Sequence, residues 1–110
     1  MKISETGLGA VIRITDDPAE NSCKPAVDYL FRSAEETYGG NVLAVVMTGM
    51  GDDGSRSVRG LHKRGAHIIA QDEASSTVFG MPRRIIEEGT ANVICSLDDI
   101  ADKITQIVQR

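Results

Sequence analysis

The chain has 110 residues, a formal net charge of −4, 41% hydrophobic and 25% charged residues. That is one small domain with enough apolar material for a core, which excludes low-complexity disorder and collagen-like repeats. Nucleic-acid binding is disfavoured by the lack of a basic stripe, and base stacking by an aromatic content of 4%. No apolar run approaches the roughly 20 residues of a membrane span.

The β-rich segment Ala10–Ile14 and Met1–Ile3, separated by Gly7-Leu8-Gly9, predict an N-terminal β-hairpin. Residues 15–25 are polar and turn-rich and end in Lys24-Pro25, with Pro25 suited to the first position of a helix. Val27, Leu30, Phe31, Ala34 and Tyr38 then fall on one helical face, and Gly39-Gly40 stops the helix. The unbroken apolar run Val42–Met47 predicts a strand buried on both faces.

After the loop at residues 48–54, a helix is expected from Ser55 to Arg64, with Val58 and Leu61 inward and Gly65 at its end. Ala66–Ala70 is a second strand, and a polar loop spans Gln71–Thr77. Pro82 opens a helix with Ile85 and Ile86 inward, closed by Gly89. Val93–Cys95 is a third strand. Ser96-Leu97-Asp98-Asp99 caps a last helix carrying Ile100, Ile104, Ile107 and Val108. Short loops and β-α-β-α-β-α order predict an α/β fold: three-layer, doubly wound, Rossmann-like, with a mostly parallel sheet.

Cys23 and Cys95 are too few for a disulfide framework and lack zinc-site spacing, which suits a reducing cytoplasm. Cys95 reads as a buried thiol. His62 and His67 sit on a helix end and at the amino end of a strand, where structural roles are expected.

Ligands of such sheets bind at the carboxyl ends of the strands. There Gly49-Met50-Gly51-Asp52-Asp53-Gly54 matches G-x-G-x-x-G, with Asp72 near the end of the next strand. A dinucleotide-binding module is therefore one reading. Against it, a carboxylate about 4 Å from a phosphate costs on the order of 1–4 kcal/mol, and Asp52 and Asp53 would compete for the same N–H donors. A second reading has Asp52 and Asp53 holding Mg²⁺ in a non-enzymatic acidic site, although such sites need oxygens from several loops. Both aspartates could equally be helix caps. A carboxylate held at a strand edge by N–H donors also suits a group that orients a catalytic histidine.

Thr48–Gly54, Gly65-Ala66, Ala70–Ser75, Phe79–Pro82 and Pro25–Ala34 together resemble the catalytic domain of the chemotaxis protein-glutamate methylesterases of the CheB type. The resemblance covers about residues 10 to 108 and is far more specific than the glycine loop. It implies hydrolysis of glutamyl methyl esters on chemoreceptor cytoplasmic domains by a Ser-His-Asp triad. Asp53 then corresponds to the triad acid, and Met50 to the position whose N–H faces the oxyanion. Thr48, Gly49, Gly51 and Met81 would line the site. Neither a cofactor nor a metal is implied. Ala26 departs from the family, where a serine is expected in Pro-x-Val-Asp.

The family's serine turn and histidine motif do not occur in these residues. Residues 1–110 are therefore expected to be one partial catalytic domain, its C-terminal half, inactive alone. The N-terminal half and a receiver domain would precede it in an intact protein. A sheet of three strands would also leave an edge, at Val42–Met47, exposed and apolar, which predicts self-association to cover it.

Overall fold

The computed structural model describes residues 1–21, 23 and 25–109. Lys24, expected in the loop before the first helix, lies outside the described residues. The chain packs as two compact units, Met1–Val42 with Asp53–Ala66, and Leu43–Asp52 with His67–Arg110.

In the first unit, β1 (Lys2–Thr6) and β2 (Gly9–Arg13) form the expected antiparallel hairpin around Gly7-Leu8. Its register pairs Ser4 with Val11. The hairpin is tied to α1 (Val27–Tyr38) where the Ile3 N–H donates to Ser33 Oγ at 2.8 Å. Helix α1 begins at Val27 with Ala26 as its N-cap, so Pro25 precedes the helix instead of opening it. The expected stop holds, with Gly39 at φ 61. Tyr38, placed on the inward face by its spacing, is 45% exposed because it stands in the last, fraying turn.

Helix α2 (Ser55–Lys63) packs on α1, and its Val58 and Leu61 are fully buried, as their spacing predicts. The two helices meet closely: a Cβ at Gly40 would run into the Arg64 carbonyl oxygen. The loop before α1 is pinned to that helix by side chains. Tyr29 donates its hydroxyl to Asp17, which lowers the Asp17 pKa, and Arg32 forms a bidentate pair with Glu20 at 2.7 and 2.8 Å.

The second unit holds the parallel sheet, in the order β3 (Leu43–Val46), β4 (His67–Gln71), β5 (Val93–Cys95). Helices α3 (Met81–Glu87) and α4 (Leu97–Val108) bring the helices among the described residues to four. The strand buried on both faces is β4, whose Ile68, Ile69, Ala70 and Gln71 are all fully enclosed. β3 alternates instead: Ala44 and Val46 are buried, Leu43 and Val45 half-buried, and Met47 is 40% exposed. The reason is topological. β4 is central and β3 is an edge strand, paired only with β4 among the described residues. An apolar run reports low polarity, not which strand lies in the middle.

On one face of the sheet Ile69, Cys95 and Ile100 form a closed cluster, flanked by Leu43, Val45, Ile104 and Ile107. Burial pushes the Cys95 thiol up and keeps it neutral. Val108, expected on this side of α4, is 65% exposed because the helix outruns the short sheet it covers. Ser96 is the N-cap of α4 and its hydroxyl donates to Asp99 at 3.1 Å. Pro82 stands at the second position of α3, and Arg83 and Arg84 of that helix pair with Glu87 and Glu88 one turn on. No helix is long and apolar enough to cross a membrane among the described residues.

Ile69 contacts both neighbouring strands and α4, so truncating it leaves a cavity the sheet cannot close. Ile69→Ala is expected to cost about 2–5 kcal/mol in denaturant unfolding. A loss under about 1 kcal/mol would mean that the cluster is not the core of this unit.

Candidate functional site

The segment after α1's preceding loop and the segment before α2 each lack what a helix start needs. Ala26 and Gly54, the two N-caps, have no side-chain oxygen. The first N–H groups of both helices are instead satisfied across the helix pair. Asp53 Oδ2 accepts from the Val27 N–H at 2.6 Å, and Asp53 Oδ1 from the Asp28 N–H at 3.0 Å. Asp28, the second residue of α1, returns the bond: its Oδ1 accepts from the Ser57 N–H at 2.9 Å and from Ser57 Oγ at 2.6 Å. Each helix therefore has its positive end capped by a carboxyl from the other.

Position 26 is the N-cap of α1. A serine at that position could cap α1 itself, whereas here the capping oxygens come from Asp53. This arrangement corrects the cap assignment. Asp53 caps a helix, but the helix is α1 and not the one that follows it in sequence. The chain reaches this geometry through Gly54, whose φ of 98 favours glycine and where a Cβ would lie 2.9 Å from Val27 Cγ1.

Asn21 ties the two carboxyls together, donating its Nδ2 to Asp28 Oδ2 at 2.7 Å and to Asp53 Oδ1 at 2.9 Å. Asp28 and Asp53 are 4% and 8% exposed. Burial pushes the Asp28 carboxyl up, but the bonds from Ser57 and Asn21 outweigh it, so it titrates below its ordinary 3.8. Spacing gave no sign of this pair. Asp28 lies on a helix whose pattern marks it as polar and outward, and Asn21 lies in a loop.

The arm after β3 belongs to the second unit and is built by different bonds. It runs beside the segment before α3. Thr48 Oγ1 donates to the Val78 carbonyl at 3.1 Å and accepts from its N–H at 2.8 Å. The Gly49 N–H also reaches the Val78 carbonyl, and the Gly49 carbonyl accepts from the Gly80 and Met81 N–H groups at 3.1 and 2.9 Å. A Cβ on Gly49 would stand 2.6 Å from Met81 Sδ, and one on Gly80 2.7 Å from the Gly49 oxygen. Thr48, Gly49 and Met81 are thus brought together, as expected for one edge of the sheet. Gly51 follows with φ 84, and Met50 presents its side chain 84% exposed.

Gln71 organises the same edge and was not singled out by the sequence. It is fully buried at the end of β4. Its Oε1 accepts from the Thr48 N–H at 2.8 Å, and its Nε2 donates to the Ser75 carbonyl at 2.8 Å. Ser75 in turn donates to Asp72 through its N–H and hydroxyl, which lowers the Asp72 pKa. Asp72 therefore closes a turn.

The dinucleotide reading needs free N–H groups at the start of α2, and there the Ser57 N–H already serves Asp28. The Mg²⁺ reading needs converging carboxyls, yet Asp53 is spent on backbone N–H groups and Asp52 is exposed. No group of three or more His, Cys, Asp or Glu able to hold a metal occurs among the described residues. His62 is exposed at the end of α2, and His67 is half-buried at the amino end of β4.

Because Asp28 titrates low when folded, its contribution is complete above its ordinary 3.8 and is lost as pH falls through the lower folded value. Thermal melts of Asp28→Asn are therefore expected to show a lower Tm at pH 7 and a shallower decline between about pH 5 and pH 2 than the parent. Parallel declines in the two proteins would remove Asp28 from the acid response.

The profile of the CheB methylesterase family matches residues 1–104. The chain is 47% identical over 99% of its length to the protein-glutamate methylesterase/protein-glutamine glutaminase of Desulfotalea psychrophila, and 46% identical over 97% to that of Nitrobacter hamburgensis. It spans 30% and 28% of those two proteins. The crystal structure of the Thermotoga maritima CheB methylesterase catalytic domain superposes with a TM-score of 0.91 at 30% identity, covering 96% of this chain and 56% of that one. On the strength of the matched profile and these relatives, the chain belongs to the CheB methylesterase family.

Proposed function

We propose that the chain is the C-terminal part of a protein-glutamate methylesterase catalytic domain and supplies its triad acid, Asp53, and its oxyanion arm. One observation carries the reading. In a CheB family chain, the Asp53 carboxyl is held from three sides, by the Val27 and Asp28 N–H groups and the Asn21 amide. Such a carboxyl has a set direction, as a group that orients an imidazole requires.

In the intact protein a serine and a histidine from outside these residues would complete the triad. The serine oxygen attacks the glutamyl carbonyl while the imidazole takes its proton. The imidazole then protonates the departing group, and water hydrolyses the acyl-enzyme by the same steps. The leaving group is methanol from a methyl ester. The relatives are also named as glutaminases, and for a glutamine side chain the same acyl transfer to water releases ammonia. Met50 would donate its backbone N–H to the oxyanion. No partner for that N–H is found among the described residues, and the bonds of Thr48 and Gly49 to residues 78–81 fix the arm that presents it. Gly51 and Met81 would line the same edge.

The substrates on this reading are methylated glutamates of chemoreceptor cytoplasmic domains, met in the cytoplasm, and a receiver domain would precede the catalytic domain. The outer edge of β3 would be covered by the rest of that domain.

Methanol and ammonia release from receptor by the full-length protein tests the reading. Asp53→Ala is expected to lower turnover on the order of 10⁴-fold, with the substrate still bound. Parental turnover by that variant would end the role given to Asp53. Residues 1–110 alone should release neither product, and should self-associate through the β3 edge in sedimentation; a monodisperse monomer would count against the latter.

A further inference from the structure

We propose that Asn21 is a positioning residue for catalysis: its amide fills one oxygen of Asp53 and so leaves the other as the acceptor for the imidazole. The inference rests on Asp53 being the triad acid. It starts from the acceptor positions of a carboxylate, two on each oxygen. Oδ1 of Asp53 receives both the Asp28 N–H and the Asn21 amide, whereas Oδ2 receives only the Val27 N–H among the described residues. Among the described residues, the acceptor position left open is on Oδ2. Without Asn21 each oxygen would have one open position, and an imidazole could be held in two orientations.

The Asn21 amide cannot turn away from this task. Its nitrogen faces two carboxyl oxygens, at 2.7 and 2.9 Å, and the flipped amide would set its oxygen against both. Asp28, the second acceptor, is locked in turn by Ser57. The backbone is held as well. Asn21 has φ 54, the one positive φ outside glycine among the described residues. Glu20 and Cys23 exchange backbone bonds of 2.9 and 2.8 Å around it, and the Glu20 carboxylate is clamped by Arg32. A left-handed residue enclosed by a closed turn is a conformation that Asn tolerates better than most residues.

Asp28 of α1 shares the Asn21 amide with Asp53, and Arg32 of the same helix pairs with Glu20 and acts on Asp28. Among the described residues Asn21 is the one donor that meets both aspartates. Removing it leaves two neighbouring carboxyls with less to separate their charges. It also makes Asp53 a stronger acceptor, which stabilises an imidazolium and raises the pH at which the base becomes active.

The test uses the full-length enzyme carrying Asn21→Gly, which keeps the left-handed backbone and removes the amide, and Asn21→Asp, which adds a third carboxyl. Expected for Asn21→Gly is a fall in kcat on the order of tenfold, with KM little changed, and an acid limb of kcat/KM moved to higher pH. Asn21→Asp should move the limb further in the same direction. Asp53→Ala is measured alongside. If Asp53→Ala abolishes turnover while Asn21→Gly keeps both kcat and the acid limb, the positioning role is overturned and the triad assignment stands. If Asn21→Gly lowers only Tm and the yield of folded enzyme, with an unmoved acid limb, the role is structural and the proposal is again overturned. Parental turnover in Asp53→Ala would overturn the triad assignment, and the role of Asn21 with it.

Discussion

The exchange of carboxyl caps between α1 and α2 is the constraint on which the first unit depends. Two helices begin without capping side chains of their own, at Ala26 and Gly54. Buried N–H groups left unpaired would each cost about 1–3 kcal/mol. Asp53 and Asp28 meet that need reciprocally, and so the register of one helix against the other is set by hydrogen bonds as well as by packing. The aspartates are buried because they cap, and they tolerate burial because Asn21 and Ser57 donate to them. A carboxyl held this way costs the fold nothing extra to keep aimed. The same bonds that stabilise the helix pair hold the proposed catalytic acid in place.

The second unit solves a related problem with an amide. Where β3 ends, the Thr48 N–H has lost its strand partner, and Gln71 replaces it with a side-chain carbonyl. Gln71 then spends its own donors on Ser75. A fully buried glutamine is tolerable only if all its polar atoms are used, and this one meets that condition. The result is that the arm carrying Gly49 and Met50 and the segment carrying Met81 are joined by backbone bonds of the kind found in a sheet, with Gly49 bridging to Phe79. The glycine at 80 permits that approach, since a Cβ there would collide with the backbone of Gly49 and Gly51, and one at 49 would press on the Met81 sulfur.

Much of this was legible in the residues. The hairpin, the helices at 55–64 and after Pro82, and the short strand ending in Cys95 follow from period, turn residues and caps, all local signals. The motifs around Thr48–Gly54 and Phe79–Pro82 identified the family. The errors also have local causes. Val42–Met47 looked like the most buried strand because it is the longest apolar run, yet an edge strand keeps one side half-open. Tyr38 and Val108 kept the helical period to the last turn, where there was no longer anything to cover.

Composition, hydrophobic period and ordered motifs by themselves determined the α/β class, the element order and the family, because each depends on residues close together in the chain. Only the tertiary structure decided what Asp53 touches. Asn21, Val27 and Asp28 are 32, 26 and 25 positions from it, and nothing in a periodic pattern reports a hydrogen bond between separate segments. The same holds for Gln71, which reads as the first residue of a polar loop and proves to be the fully buried end of β4. Period and propensity record which side of an element avoids water; the partners of a buried polar group are chosen by the approach of distant segments, and that is settled only when the chain has folded.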